Sequence, residues 1–308
     1  MLDLATVCFG EELGLLRLQA RSVRLFMGQN LLGIIHLVVN EEGFEQVQKH
    51  IQTHVLPEYG PLASHVKIYP YRTLSGKKLK KLGWRSQQAF KLLISQQIQS
   101  ADYLVLDCKN HFIRPVSGES IWHPDGRMKI APRPIHKKFL ADYRQACAYF
   151  DLPPASEEAV WPAVTPFPMK TKLVRDMIEH LEKRQNKSFT DVFMKSPRVT
   201  EFYLLYAYLQ ATYGGSEQFY AEAPRTGFSV MSSAAGAPEK ARDIAEKIAR
   251  PHVFCFGVHR AVLRQKNQGV LEAVAKVWQQ YGLVESAAEA SEFLTAEKLP
   301  RRRRFLIF

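Results

Sequence analysis

The chain has 308 residues, of which 46% are hydrophobic and 23% are charged, a balance that is typical of a globular protein with its own core. This composition excludes a disordered, collagen-like or disulfide-stapled chain. The 42 lysines and arginines exceed the 30 acidic residues and give a formal net charge of +12. Such an excess favours anionic partners, namely nucleotides, nucleic acid, acidic glycans or anionic lipid.

The sequence also carries signals about its compartment. It has no run of about 20 apolar residues, the length that a membrane-spanning helix needs, and its N-terminal segment lacks the basic region of a signal peptide. The four cysteines are far apart and form no Cys-x-x-Cys pair; they are Cys8, Cys108, Cys147 and Cys255. We therefore expect a protein of the reducing cytoplasm, without a zinc ribbon or a disulfide framework.

In the first half of the chain, predicted strands alternate with predicted helices. Apolar runs predict strands, and apolar residues three and four apart predict helices: strands at 4–9, 33–39, 66–69 and 103–106, and helices at 13–27, 44–55 and from 86 to 98. We expect Pro57 to end the second helix and Ser86 to cap the third. This alternation is typical of βαβ units around a mostly parallel sheet, with ligands bound at the carboxyl ends of the strands.

The second half is predicted to be richer in helix. The helices are expected at 170–183, from Thr200 through 208, from Pro238, and at 268–281, with a strand at 253–256. The proline-rich stretches near 153 and at 162–168 mark the join between two lobes of a single domain, 1–150 and 151–308.

Motifs of the common nucleotide and hydrolase sites are absent from the sequence. No Gly-x-Gly-x-x-Gly, Walker A, Gly-x-Ser-x-Gly or His-Glu-x-x-His pattern occurs. The informative segments are GWRSQQAFKL at 83–92 and YLVLDCKNHFIRP at 103–115. They place a helix that opens with amides and bases before a strand that carries Asp107 to the sheet edge.

These two segments resemble the nucleotide-sugar site of GT-A-fold glycosyltransferases. More closely, they resemble an uncharacterised bacterial family of glycosyltransferase-like proteins with a W-x-x-QQ-x-x-KL helix, a YLVLD strand and an F-x-RP motif. Thr165-Pro166 and the segment 200–206 match the later pattern of that family. The resemblance implies an α/β, GT-A-like (Rossmann-like) fold with a mostly parallel central sheet flanked by helices. It also implies that 1–150 binds a nucleotide sugar and that the helix-rich 151–308 faces the acceptor.

Glycosyl transfer from a nucleoside diphosphate sugar needs a cation at the departing diphosphate, because only stabilisation of the transition state accelerates the step. Most GT-A enzymes hold Mn²⁺ or Mg²⁺ there with an Asp-x-Asp motif, but Lys109 stands at the third position here. Two alternatives remain open. Asp107 can share a metal with His259, or Lys109 can replace the metal while Asp107 binds sugar hydroxyls, and we favour the second.

Further roles are expected for the residues around this position. Arg85, Gln87 and Lys91 are expected to contact the donor, together with Asp107, Lys109 and His259. Glu201 is expected to act as the base that deprotonates the acceptor. Each of these residues also has a structural interpretation: a turn or cap carboxylate, a solvated helix face or a buried histidine.

Two basic segments have open interpretations. The lysine-rich stretch 72–91 is either a lid over the donor phosphates or a solvated loop. The basic C-terminal tail, 298–308, joins four arginines at 301–304 to four apolar residues. It either docks on an anionic membrane surface or packs as a strand or an oligomer contact.

The sequence therefore predicts a cytoplasmic glycosyltransferase, peripheral at the membrane if the tail docks there. Its donor would be a nucleoside diphosphate sugar and its acceptor a surface polysaccharide or glycolipid. The alternative is a non-catalytic protein of the same fold that binds a sugar nucleotide or a glycan. Nucleic-acid binding is less favoured, because no RNP, KH or zinc-finger signature accompanies the positive charge.

Overall fold

The computed structural model describes residues 1–153, 160–196 and 198–295. The strands are β1 (Leu2–Cys8), β2 (Leu32–Val39), β3 (Val66–Pro70), β4 (Asp102–Asp107), β5 (Asn110–Phe112), β6 (Met128–Ile130), β7 (Phe167–Lys170), β8 (Tyr220–Glu222), β9 (Gly227–Val230) and β10 (Cys255–Val258). The helices are α1 (Leu13–Phe26), α2 (Phe44–His50), α3 (Leu56–Tyr59), α4 (Tyr71–Ser75), α5 (Trp84–Leu93), α6 (Gly118–Ile121), α7 (Leu140–Ala148), α8 (Thr171–Gln185), α9 (Phe189–Lys195), α10 (Glu201–Tyr213), α11 (Pro238–Ile248), α12 (Arg260–Gln265), α13 (Gln268–Gln280) and α14 (Ala287–Phe293).

The central sheet has five strands in the order β3-β2-β1-β4-β7. The first four are parallel, and β7 runs antiparallel to β4. Strands β1, β2 and β4 are almost wholly buried because both faces of a parallel sheet are covered by helices. The fold is thus the helix-flanked, mainly parallel α/β architecture that the sequence predicted.

The strand order fixes where a ligand can bind. From β1 the chain moves outward through β2 to β3, and then returns to place β4 on the opposite side of β1. This reversal opens a crevice at the carboxyl ends of β1 and β4, where Val7 pairs with Asp107. The residues that follow β1 and those that end β4 therefore face each other across it.

The two halves of the chain share one sheet system and one core. Strand β7, from the second half, extends the central sheet, and β10 pairs with β5 in a small three-stranded sheet with β9. A third sheet pairs β6 with β8. Buried apolar side chains from both halves form a single cluster. None of the helices in the described ranges is long and apolar enough to cross a membrane.

Two predicted details are wrong, and both have a local cause. Pro57 does not end the helical path, because a π-helical segment at Ile51–Val55 leads into α3, where Pro57 occupies the first turn and needs no donor. Ser86 does not cap α5. Its cap position is Gly83, whose N–H donates to the Ser86 hydroxyl oxygen at 2.9 Å, while that hydroxyl contacts Asn40.

Candidate functional site

A cavity of about 580 Å³, which we call the main cavity, lies at the crevice between β1 and β4. Six of the seven site residues that the sequence nominated line it: Gln87, Lys91, Asp107, Lys109, Glu201 and His259. They come from α5, from the end of β4, from α10 and from the start of α12. The topology therefore brings together residues that are far apart in sequence.

Buried amides fix the turn that carries Asp107. The Gln19 side-chain nitrogen donates to the backbone carbonyls of Asp107 and Asn110 at 2.7 and 3.0 Å. The Asn110 side chain accepts the Asp107 N–H at 2.8 Å and donates to the Thr165 carbonyl at 3.2 Å. Because these polar groups are buried and paired, the turn is held in one conformation.

The Asp107 carboxylate is surrounded by donors. One oxygen forms an ion pair with the Lys91 ammonium at 2.7 Å. The other contacts the Lys109 ammonium and accepts the Thr165 hydroxyl at 2.9 Å. Burial alone would raise the pKa of Asp107, but the two ammonium groups outweigh it and hold that pKa well below its ordinary value. The carboxylate is therefore ionised at neutral pH.

Lys91 connects this carboxylate to the other candidate acid. Its ammonium also lies 3.1 Å from a carboxylate oxygen of Glu201, and the two side chains are only 7% and 4% exposed. Burial opposes the charged form of Lys91, but the neighbouring Asp107 and Glu201 raise its pKa above the ordinary value. A chain of alternating charges thus runs along the cavity wall, from Glu201 through Lys91 and Asp107 to Lys109.

Arg85 is the nominated residue that does not line the main cavity. Its guanidinium donates to the backbone carbonyl of Phe193 at 2.8 and 3.1 Å and to that of Val199 at 3.0 Å. It also lies over the Phe193 ring. These contacts tie α5 to α9 and to the segment before α10.

His259 caps α12 with its side chain. The Nδ1 atom accepts the N–H of Ala261 at 3.1 Å. Burial, together with the positive charges of Lys109 and Arg260, lowers the pKa of His259 to about 4. The imidazole is therefore neutral at pH 7 and lines the cavity as a neutral polar group.

The donor chemistry does not fit a divalent metal at Asp107. Both carboxylate oxygens already meet lysine ammonium groups, which a metal ion would have to displace. Within the parts of the chain that the structure describes, no three His, Cys, Asp or Glu side chains form a group able to hold a metal.

Several further residues that line the main cavity were not predicted as site residues. The Gln88 side-chain oxygen and the Thr200 hydroxyl oxygen are buried and have no hydrogen-bond partner among the described residues. Trp84 lies at the mouth and is 50% exposed. Gln88 stands beside the nominated Gln87, so the amide-rich start of α5 was its sequence signal. Buried polar atoms without partners are rare in folded proteins, so both oxygens are free to accept a hydrogen bond from water or from a bound molecule.

Glu12 is the most informative of these additional residues. It follows β1 and lines the main cavity, with a side chain that is 12% exposed and lies 3.9 Å from the Arg260 guanidinium. Burial raises the pKa of Glu12 to about 7, with Arg260 opposing and the Asp107 charge adding to the shift. This carboxyl group can therefore exchange a proton near neutral pH. Its sequence signal was its position just past the predicted end of the first strand.

Known proteins were compared with the chain by family profile, by sequence and by structure. The profile of a family described as "Family of unknown function (DUF6492)" matches residues 9–235. No curated protein sequence matches the chain. The crystal structure of galactosyltransferase LgtC in complex with donor and acceptor sugar analogs superposes with a TM-score of 0.51 at 12% identity, over 91% of this chain and 100% of that one. The chain thus has the GT-A fold, as the resemblance implied.

Two further solved structures are similar to a lower degree. An active-site mutant of LgtC has a TM-score of 0.49 at 12% identity over 91% of this chain and 100% of that one. Mouse xyloside xylosyltransferase 1 in its apo form has a TM-score of 0.45 at 12% identity, over 83% of this chain and 97% of that one.

Proposed function

The chain belongs to the family of unknown function DUF6492, and from its GT-A fold and its main cavity we propose that it is a glycosyltransferase. The donor is a nucleoside diphosphate sugar, and the acceptor is a surface polysaccharide or a glycolipid at the cytoplasmic side of a membrane. LgtC, with the same fold, was solved with donor and acceptor sugar analogs. The fold similarity supports the class of reaction and leaves the sugar unspecified.

The observation that carries the proposal is the placement of the Lys109 ammonium. Asp107 and Thr165 hold it at the carboxyl end of β4, inside the main cavity. This is the position in the motif where an Asp-x-Asp sequence would supply a metal ligand. Lys138, Arg198 and Arg260 line the same cavity, so a diphosphate that enters it meets additional positive charge.

The chemistry follows from these charges. The bond between the anomeric carbon and the diphosphate oxygen breaks, and its electron pair stays on that oxygen. The acceptor hydroxyl oxygen forms the new bond to the anomeric carbon and loses its proton to a base. Lys109 stabilises the negative charge on the leaving diphosphate, and because the cavity partly excludes water the attraction is stronger than in bulk solvent.

Two carboxyl groups are candidates for the base. Glu201, which the sequence nominated, lies in the cavity wall, but its carboxylate contacts the Lys91 ammonium. Glu12 has a pKa of about 7, which suits a group that must accept a proton near neutral pH. We propose that one of these two residues takes the acceptor proton. The variants Glu12→Gln and Glu201→Gln distinguish the two residues. A base must be deprotonated to act, so kcat rises with pH, and this rise should be lost only in the variant that lacks the base.

Other groups in the cavity are suited to holding the donor. The partnerless oxygens of Gln88 and Thr200 can accept hydrogen bonds from ribose or sugar hydroxyls. The half-exposed Trp84 offers an apolar ring face at the mouth, against which a base or a sugar can stack.

Nucleotide binding in EDTA tests the proposal. We expect one of a panel of nucleoside diphosphates and their sugars to raise the melting temperature, since a ligand at about 100 times its Kd adds about 2.7 kcal/mol of stability. With that donor, Lys109→Met is expected to lower turnover at least about 100-fold. The exposed Lys240→Met on α11 is the charge-matched control and should leave turnover unchanged.

Three results would count against the proposal or part of it. If no donor stabilises the protein, the assignment of a nucleotide-sugar site fails. Turnover that EDTA abolishes and Mn²⁺ restores would refute the role of Lys109. Donor binding without transfer to any acceptor would favour the non-catalytic alternative, which the ion pairing of both Asp107 and Glu201 makes the second candidate.

A further inference from the structure

A second cavity of about 300 Å³ lies next to the main cavity. Val164 and Thr165 line both, so the two cavities share a wall. The segments that surround the second cavity include β6, β7 and the stretch from β8 to β9. Residues of both halves of the chain therefore line it.

The charges of the second cavity are of one sign. Three of its lining residues are cationic, namely Lys129, Arg133 and Arg225, and none of the described residues that line it is acidic. The main cavity, in contrast, mixes Glu12, Asp107, Asp142 and Glu201 with its lysines and arginines. The second cavity is therefore the more strongly positive of the two for its size.

The two guanidinium groups have no carboxylate partner within the described ranges. Arg225 is exposed at the rim of the cavity. Its Nε donates to the Gly227 carbonyl at 2.7 Å and its guanidinium lies 4.1 Å from the centre of the Phe228 ring, contacts that restrain its orientation. Arg133 is half-buried, and no described carboxylate contributes to its electrostatic environment. Lys129 donates to a backbone carbonyl, that of Glu119, at 2.6 Å.

The proximity of the two arginines has an electrostatic cost. Desolvation and the positive charge of Arg133 lower the pKa of Arg225 to about 10. Both groups remain cationic at neutral pH and repel each other. An anion between them would relieve this repulsion, and a guanidinium fork matches the two oxygens of a carboxylate or a phosphate.

The remaining wall is apolar and sets the size of the ligand. Its side chains include Ile121, Ile130, Phe167 and Phe254, together with several prolines. A volume of about 300 Å³ is at the lower end of the range for small-molecule sites, which is suited to a molecule of monosaccharide size. A free inorganic anion would leave the apolar part of the cavity unfilled.

We propose that the second cavity binds a small organic anion, a carboxylate or phosphate group on a skeleton of about the size of one sugar, with Arg133 and Arg225 holding the anionic group. The proposal does not depend on the glycosyltransferase activity. If that activity holds, the shared wall places the anion beside the reaction site, where an acidic acceptor sugar would lie.

Calorimetric titration with glucuronate, glucose 6-phosphate, inorganic phosphate and neutral glucose tests this site. We expect glucuronate or glucose 6-phosphate to bind at least about tenfold more tightly than glucose, since hydrogen bonds to charged groups contribute about 1.5–3 kcal/mol. The two organic anions distinguish a carboxylate from a phosphate. Weaker binding of inorganic phosphate would show that the skeleton also contributes.

Variants locate the binding. Arg225→Gln, at the cavity rim, and Arg133→Gln are each expected to weaken binding at least about tenfold. Arg242→Gln on the exposed side of α11 removes the same charge elsewhere and should change it less than about twofold. If Arg133→Gln does not fold, Arg225→Gln alone decides.

Three outcomes would overturn the proposal. The first is that no anion binds more tightly than glucose. The second is that Arg225→Gln leaves the affinity unchanged while Lys109→Met abolishes it, which would place the anion in the main cavity. The third is that Arg242→Gln weakens binding as much as Arg225→Gln, which would reduce the effect to net charge.

Discussion

Lys91 lies between two carboxylates in the wall of the main cavity, and its contribution to stability depends on both. It contacts Asp107 at 2.7 Å and Glu201 at 3.1 Å. Removing one partner from a buried ion pair leaves an uncompensated charge, which costs about 3–5 kcal/mol. We expect Lys91→Met to lower the free energy of unfolding by about that amount, measured by urea denaturation.

The matched control for this prediction is a second substitution. In the double variant Lys91→Met with Glu201→Gln, one of the two stranded carboxylates becomes neutral, so the double variant should regain at least about 1 kcal/mol relative to Lys91→Met alone. If Lys91→Met alone lowers the free energy of unfolding by less than about 1 kcal/mol, water reaches the two carboxylates and this part of the cavity wall is not buried.

Glu12 predicts a specific pH dependence of stability. Its pKa is about 7 in the folded chain against an ordinary value of 4.5, so the folded state binds the proton more tightly than the unfolded state. This contribution to stability is fully present below about pH 4.5 and is lost as the pH rises through 7. The free energy of unfolding of Glu12→Gln, measured relative to that of the parent chain, should therefore rise by about 2–3 kcal/mol from pH 5 to pH 8.

Urea denaturation of both proteins at the two pH values measures this difference. Other titrating groups are common to both chains and cancel in the comparison. Glu246→Gln, an exposed residue of α11, is the control and should show no such pH-dependent gain. If Glu12→Gln follows the parent chain at both pH values, the carboxyl group is ionised throughout and cannot serve as the base near neutral pH.

Helix α5 contributes to the site in two ways that the sequence did not distinguish. Gln87, Gln88 and Lys91 face the main cavity, whereas Arg85 turns away to the carbonyls of Phe193 and Val199. Substitution of Arg85 removes three charged hydrogen bonds to backbone carbonyls. We expect Arg85→Met to lower the free energy of unfolding by about 2–3 kcal/mol, while nucleotide affinity changes less than about twofold.

Denaturation and a nucleotide titration of the same variant decide between the two roles of Arg85. A variant of unchanged stability that binds the donor about tenfold more weakly would restore the contact with the donor that the sequence predicted. Gln87→Leu offers the complementary case: its side chain lines the cavity, so its effect should fall on ligand affinity more than on stability.

The elements that the sequence predicted well are those with a strong local pattern. The buried runs of β1, β2 and β4 and the apolar stripe of α8 are read from neighbouring residues, and Asp107 follows because it ends such a run. The predicted cap at Ser86 was wrong because a serine at the cap position and a serine at N3 look alike in sequence. Only the fold shows that the Ser86 hydroxyl donates to the Asn40 side-chain oxygen. The predicted helix end at Pro57 was wrong because a π-helical segment precedes it and the chain continues into α3.

The pairings within the site could not be predicted, because they join distant elements. Lys91 and Glu201 are 110 positions apart, and no local periodicity indicates that α10 packs beside α5. The same holds for Glu12 and Arg260, which follow different strands. The sequence thus identified most of the charged residues of the site, while their partners, and hence their protonation states, depend on tertiary packing.

At the scale of the whole molecule, the excess positive charge does not all serve the candidate site. Acidic partners already meet many of the basic side chains, such as Arg21 with Glu58 and Arg264 with Glu11. The predicted basic tail, 298–308, lies outside the described residues, so its role remains a prediction from its residue types. Removing its one lysine and four arginines lowers the formal net charge from +12 to +7.

We expect this tail to bind anionic lipid, which would bring the protein to a glycolipid acceptor in the membrane. Each basic residue near an anionic surface contributes about 1 kcal/mol, so deleting 298–308 should abolish sedimentation with vesicles rich in phosphatidylserine. Replacing the four arginines at 301–304 with glutamine, while the apolar residues stay, should do the same, because the apolar residues alone hold no charge toward the headgroups. Binding that survives this replacement would assign the contact to the apolar residues, and binding that survives the deletion would assign it to the folded surface.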